Sequence, residues 1–391
     1  MPARVRDLTQ TRHVARAGRA WPADCWRWMP MARSCVAVLR TSPKNVVEDI
    51  KRLMRLASYQ KFLPHDAETA LKINTSWQYY YPGCSTTPWQ LDGVIATLLE
   101  DGYSKEKIFG CQNRTVVVNA RRGELANRHK QVVVGKYGLR NIHLYDADEE
   151  WVRYTPKTKM RVLDGVFPEG IRIPKRLIGA NVIHLPTMKT HVFTRMTGAM
   201  KNAFGGLLFE KRHWTHSVIH ETLVDLLAIQ KEIHPGLFAV MDGTFAGDGP
   251  GPRCTVPHVK NYILASGDMV AIDAIAAKMM GFDPLSIPFI RLAHEQGLGC
   301  GDVREIDVVG EDISGVNFHF HVSDTLASRG QKLIYWGPLK PLEHFLLHTV
   351  LTPWSYVASI LYHDVFWYNF VGRARVKKAL QTDWGKLFSS Y

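Results

Sequence analysis

The feature that most constrains this chain is a recurring exchange between short apolar runs and longer amphipathic stretches. Cys35-Val36-Ala37-Val38-Leu39 reads as a buried strand, and a helix over about 44–57 follows, with Val46, Val47, Ile50, Leu53 and Met54 at helical spacing. Ala70-Leu71-Lys72-Ile73-Asn74 is a second strand with a polar end, leading into an aromatic loop from Trp77 to Pro82. Thr86 or Thr87 then caps a helix that opens on Pro88, buries Leu91, Val94, Ile95, Leu98 and Leu99, and stops at Gly102. Further strands are predicted at 108–110, 131–134, 142–145, 180–186, 237–241, 262–265 and 306–310, with helices over 216–232 and 269–280. Such alternation predicts an α/β fold, a mostly parallel sheet covered by helices. With 391 residues there is room for an α/β body over 32–325, in two lobes at 32–150 and 151–325, and a helical tail over 326–391.

Charge is distributed unevenly along this pattern. The formal net charge is +13, of which residues 1–40 carry +6 and residues 331–391 carry +4, leaving a nearly neutral body. Without a basic stripe or a base-reading motif in that body, nucleic-acid binding is not expected. Residues 1–31 hold six arginines and no apolar period; they read as a disordered basic extension, with a basic arm or a transit-type leader as the other readings. The six cysteines form no C-x-x-C pair, so a zinc ribbon or an iron–sulfur cluster is not expected, and reduced thiols in a cytoplasmic protein are.

The tail has a composition of its own. From His344 to His363, 20 residues pass without Asp, Glu, Lys or Arg, and Phe366, Trp367, Tyr368 and Phe370 precede Arg373, Arg375, Lys377 and Lys378. Aromatics beside a basic cluster, over 342–378, suit a membrane surface. Packing on the body or a homodimer contact is the other reading, and Pro353 with three histidines argues against a spanning helix.

Polar chemistry concentrates where the predicted strand 180–186 ends. Lys189-Thr190-His191, then Thr197, Lys201, Asn202 and Gly205, place two lysines, a histidine, hydroxyls and glycines in one predicted loop. In an open α/β sheet, ligands bind beyond the carboxyl ends of strands, and these residue types suit a phosphate or carboxylate. His216 and His220 stand four apart on the predicted helix, so with His191 they could hold a divalent metal. A Gly/Pro-rich segment over 242–252 follows strand 237–241, offering Asp242, Asp248 and Gly249 as ligand or acid/base groups. Asp268 reads as a helix N-cap, and Asp273, inside an apolar helix, needs a partner such as Lys189 or Lys201.

Taken together, the run Asn181 to His191, the stretch Thr197 to Gly205, Lys211 and His216, Asp242-Gly243 with Gly249-Pro250, and Asp268 to Asp273 with Met280-Gly281 resemble the family called "domain of unknown function 362". Lys72-Ile73-Asn74 and the helix start at Thr86 fit the same pattern, so the resemblance covers about 35–310. Some members carry a ferredoxin-type segment whose cysteines this chain lacks. A more distant likeness, to the nickel-pincer lactate racemase group, rests on the order His191, Lys201, His216; it implies an architecture and a place to look, not a nickel cofactor. The expectation is an enzyme acting on a small anionic substrate, with Lys189 and Lys201 holding the anion, His191 as acid/base or metal ligand, and Asp242 assisting. The rival expectation is a non-catalytic ligand-binding or assembly protein held at a membrane surface by its tail.

Overall fold

Strand β1 (Ser34–Arg40) shows how the apolar runs are used: Val36 and Val38 enter one core, while Ala37 and Leu39 enter a second core on the opposite face. Strands β2 (Thr69–Ile73), β3 (Ile108–Gln112) and β4 (Arg140–His143) follow, with a separate hairpin of β5 (Trp151–Tyr154) and β6 (Ile171–Pro174). After these come β7 (Asn181–Leu185), β8 (Thr187–His191), β9 (Arg195–Met196), β10 (Leu237–Asp248), β11 (Val256–Ser266) and β12 (Ile306–Gly310). Residues 33–113, 115, 117–349 and 352–391 of this computed structural model are described, so the predicted extension over 1–31 lies outside the described residues.

The main sheet runs β12-β1-β11-β10-β7-β2-β3-β4, with β8 branching from β10 and β9 from β8. Most pairings are parallel; β11 is antiparallel to both β1 and β10. Strands from 32–150 and from 151–325 share one continuous sheet, in which β7 and β10 lie directly between β2 and β11. Period-two alternation sends successive residues to opposite faces. Ala70 and Val182 therefore join the core of Val36, while Leu71, Ile73, Ile183 and Leu185 join that of Ala37.

Helices α1 (Val46–Leu56) and α2 (Pro88–Glu100) cover the second face. On the first lie α3 (Gly198–Asn202), α4 (Ile219–Ile233) and α5 (Met269–Met280). Thr87, not Thr86, is the N-cap of α2, and Asp268 caps α5 by accepting from the Val270 and Ala271 amides. Three expected elements differ. Residues 131–134 are not a strand but part of a π-helical turn, Gln131–Lys136, which buries Val132 and Val133; a short apolar run cannot distinguish the two by itself. Residues 187–191 form a strand rather than a loop, because β10 offers them a free edge. The 242–252 segment is strand as far as Asp248, since its pairing with β11 continues to Asp248↔Val256.

The tail forms α6 (Leu326–Tyr335), α7 (Pro353–Ile360), α8 (Arg373–Leu380) and α9 (Asp383–Ser390), and it packs on the body. Trp77 Nε1 and Gln78 Nε2 donate to the buried Asp364 carboxylate at 2.6 and 2.5 Å. Trp384 lies against Trp89, ring centroids 5.0 Å apart, and the Tyr391 hydroxyl donates to Asp92. Among the described residues, no helix is long and apolar enough to cross a membrane. Replacing Asp364 with alanine strands two donors, each charge-assisted bond being worth about 1.5–3 kcal/mol. Hydrogen exchange over 353–372 is expected to accelerate in D364A, and exchange as slow as in the wild type would contradict this docking role.

Candidate active site

Parallel strands β2, β3 and β7 end at Ile73, Gln112 and Leu185, and a cavity of about 300 Å³ opens beyond them. Lys72, Asn74 and Ser76 line one side and Asn113 another; Thr197, Lys201, Asn202 and Gly205 come from the α3 segment. Arg212, His213 and His216 come from the 3-10 stretch before α4, and Arg253 from the turn between β10 and β11. This is the place the topology favours for ligands.

An amide network holds the floor. Asn202 Nδ2 donates to the Lys72 carbonyl at 2.8 Å, and Asn74 Nδ2 donates to Asn202 Oδ1 at 3.1 Å. Lys189 is fully buried beneath, its ammonium donating to Asn74 Oδ1 at 3.2 Å, Ser76 Oγ at 3.0 Å and the Cys84 carbonyl. Lys72 donates to the Ile73 carbonyl at 2.8 Å and Asn113 Oδ1 at 3.3 Å. Gly205 and Gly206 are glycines for packing: a Cβ on the first would meet Asn113 Nδ2 at 2.8 Å, and on the second Lys72 Cε at 2.3 Å.

The electrostatics are one-sided. Lys72, Lys201, Arg212 and Arg253 line the cavity, and no Asp or Glu is found among its described lining residues. Burial pushes Lys72 and Lys189 down to about 8; burial, then the Lys189 and Arg212 charges, push Lys201 down to about 7. Lys201 sits 4.7 Å from the centre of the Phe204 ring. Arg253 donates to Ser359 Oγ, and its Nη1 is buried with no partner among the described residues. The carboxylate whose field reaches Arg253 is Asp364, already engaged by Trp77 and Gln78. Desolvating Lys72 and Lys201 with no carboxylate beside them among the described residues costs several kcal/mol each, so packing alone gives no reason to bury them together.

Two imidazoles complete the wall. The Phe193 amide donates to His191 Nδ1 at 3.1 Å, which leaves the ring proton on Nε2. His216 Nδ1 faces the His213 carbonyl at 2.9 Å and donates to it, leaving Nε2 as an acceptor. Burial and the Lys201 charge hold both rings neutral, His216 at about 3 and His191 well below its usual value. The cavity thus presents an imidazole donor, an imidazole acceptor and an amine that changes charge near neutrality.

The sequence profile of the family "Domain of unknown function (DUF362)" matches residues 69–278, from β2 into α5. The chain belongs to the DUF362 family. The match takes in every cavity residue from Lys72 to Arg253, and the tail lies beyond it. A thylakoid-associated protein, sll1697, of Synechocystis sp. is 31% identical over 136 residues, 33% of this chain and 41% of that protein. No solved structure matches. Nothing in these matches carries the likeness to the lactate racemase group.

Within this DUF362 member, His191, Thr197, Lys201, Asn202, Gly205 and His216 line the cavity as expected from sequence, and other expected residues do not. Asp242 is the clearest correction. It shares the face of Val240, turned toward α2, where Thr87 Oγ1 and Trp89 Nε1 donate to its Oδ2 at 2.5 and 3.1 Å. Lys72 shares the opposite face with Ala70. Lys189 supports the floor instead of lining it, and Thr190 donates to the Gly249 carbonyl at 2.8 Å. Asp248 accepts from the His321 amide, and Gly249, at φ +90°, donates to the His321 carbonyl, so both anchor a loop. His216 lies before α4 and His220 inside it, so they do not share a helix; His220 stacks on Phe289. Among the described residues no three His, Cys, Asp or Glu form a metal-holding group, so the set His191, His216, His220 is not assembled.

Asp273 finds neither lysine. The amides of Ala199 and Met200, at the start of α3, donate to its carboxyl at 2.5 and 3.0 Å, and burial pushes its pKa up to about 8. It thereby positions the segment that carries Lys201. Lys72, Arg212 and Arg253 are cavity cations that sequence reading did not place in the site, Lys72 having entered only through the strand and the family pattern. A lone arginine in Pro250-Gly251-Pro252-Arg253, and another between Lys211 and His213, carry no motif. For Arg253 the sole signal is a charge beside a glycine and two prolines, and Arg212 carries none.

Proposed function

We propose that this protein is an enzyme acting on a small anionic substrate, bearing a carboxylate or phosphate, in the cavity beyond β2, β3 and β7. The observation that carries this reading is the convergence of Lys72, Lys201, Arg212 and Arg253 on one cavity without an acidic lining residue among those described. The cations hold the anion, and the orphaned Arg253 Nη1 is a donor still to be satisfied. Lys201, at about 7, is matched to proton transfer at neutral pH, with His216 Nε2 able to accept and His191 Nε2 able to donate. Titration calorimetry with inorganic phosphate and short carboxylates is the first test. Arg253→Gln is expected to weaken binding roughly tenfold or more, as for loss of a hydrogen bond to a charged group. Equal affinity in both proteins defeats the anion reading. Deuterium uptake from heavy water into a bound ligand tests catalysis separately; its absence in a bound complex defeats proton transfer.

A second reading, peripheral attachment to a membrane surface, is favoured by the tail. Phe345, Trp354, Phe366 and Phe370 are exposed there, and Arg373, Lys377 and Lys378 are exposed nearby. The thylakoid-associated relative is consistent with it. The full-length protein is expected to co-sediment with phosphatidylglycerol vesicles, and the pair Phe366→Glu, Phe370→Glu is expected to release it. A wild-type protein that stays in the supernatant ends this reading.

A further inference from the structure

A second cavity, of about 510 Å³, adjoins the cationic one. His191, His213, His216, Pro252 and Arg253 line both, so the two share one wall and one guanidinium. The chemistry changes sharply across that wall. The second cavity is built by the tail and the β8–β9 turn, and Phe193, Leu333, Ile334, Leu347 and Trp354 dominate its lining. Arg253 is its sole charged side chain among the described lining residues. Leu333 and Trp354 are also exposed to solvent, so this chamber reaches the apolar surface of the tail.

From this juxtaposition we infer that the ligand is amphiphilic: a single anionic head held by Lys72, Lys201 and Arg253, carrying an unbranched apolar chain that enters the tail-walled chamber. The inference rests on the anionic-substrate reading above and names the class of substrate. A small hydrophilic anion would fill the first cavity and leave the second apolar and wet. An apolar molecule alone would leave Arg253 Nη1 buried without a partner among the described residues. An alkyl anion satisfies both, because the guanidinium sits where head and chain meet. The tail, outside the family match, then supplies the wall against which the chain binds.

The test is a chain-length series of methyl, butyl and octyl phosphate, each below its micellar concentration, titrated into the full-length protein. Affinity is expected to rise up to about fourfold for each methylene that enters the chamber, the fold-change equivalent of burying one CH2. In Ala327→Trp, which fills the chamber, methyl phosphate is expected to bind as in wild type and the gain with length to vanish. Should that variant fail to fold, bromooctyl phosphate gives an independent readout: quenching of tryptophan emission that falls in Trp354→Phe. Methyl and octyl phosphate binding equally well would overturn the amphiphile and leave the anion reading intact. Octanol binding as tightly as octyl phosphate would also overturn it, by separating chain from head. Failure of every phosphate and carboxylate to bind would remove the anion reading itself. Displacement of octyl phosphate by phosphatidic acid vesicles would support the inference and identify a membrane lipid as the source; displacement by free alkyl phosphates alone would support it with an aqueous source.

Discussion

Lys201→Met will weaken phosphate or carboxylate binding by roughly 10- to 100-fold, the loss of one charge-assisted hydrogen bond, and will make the ligand-free protein more stable. Both effects come from one cause. Lys201 has no acidic lining residue described beside it, and burial, then the Lys189 and Arg212 charges, bring its pKa down from 10.5 to about 7. The sign of the pH dependence follows. Between about 7 and 10.5 the unfolded chain binds a proton at this site that the folded protein has released. Wild-type stability therefore rises with pH across that window, while below about 7 the cost of the buried charge is fully present. Anion affinity runs the other way, falling as pH climbs through 7 and the ammonium is lost. In Lys201→Met the stability slope becomes shallower, and the fall of anion affinity through 7 is lost, leaving the fall through about 8 that Lys72 sets. Urea denaturation and anion titration at pH 6, 7.5 and 9 measure both. A variant less stable than wild type, with unchanged affinity, would show that Lys201 serves packing alone.

The second large effect is expected from Gly251→Ala. A Cβ at this position would lie 1.8 Å from the Thr190 carbonyl oxygen and 2.7 Å from its carbon, both backbone atoms with no rotamer to give way. The Gly251 amide donates to the Gly249 carbonyl at 2.9 Å, and the Val192 amide donates to the Gly251 carbonyl at 3.2 Å. Inserting one methyl must therefore part the turn from β8, at a cost of about 3 kcal/mol, the upper end for overpacking. The displacement also moves Arg253, two residues on, away from His191 on the shared wall. Loss of stability and loss of anion affinity are expected together, read by the urea midpoint and by calorimetry. Wild-type values for both would mean that the turn relaxes without consequence.

Much of the architecture was legible because it depends on neighbours in sequence. Period-two and helical spacing located β1, β2, β7, α2 and α5, and a single carboxylate before Met269 located a cap. The loop around Lys201 was recognisable as chemistry-bearing because polar groups stood among Met, Ala, Phe and Gly. The run 131–134 went wrong for the converse reason: four apolar residues suit either a strand or a helical turn when the neighbours across space are unknown.

What the sequence by itself determined is the alternation of strand and helix, the family, and the residue types at the carboxyl ends of the strands. What only the tertiary structure decided is which of those residues meet. Asp242 and Lys72 both lie on central strands, and local pattern cannot say which sheet face α2 will cover and which the α3 segment will occupy. Asp273 found backbone amides at the start of α3 instead of a lysine, because α5 packs against that segment across a gap of more than 70 residues in the chain. Lys72, Lys201, Arg212 and Arg253 carry no shared local pattern. Their chemistry exists because non-local packing brings their charges to one cavity, and the tail folds an apolar chamber against it.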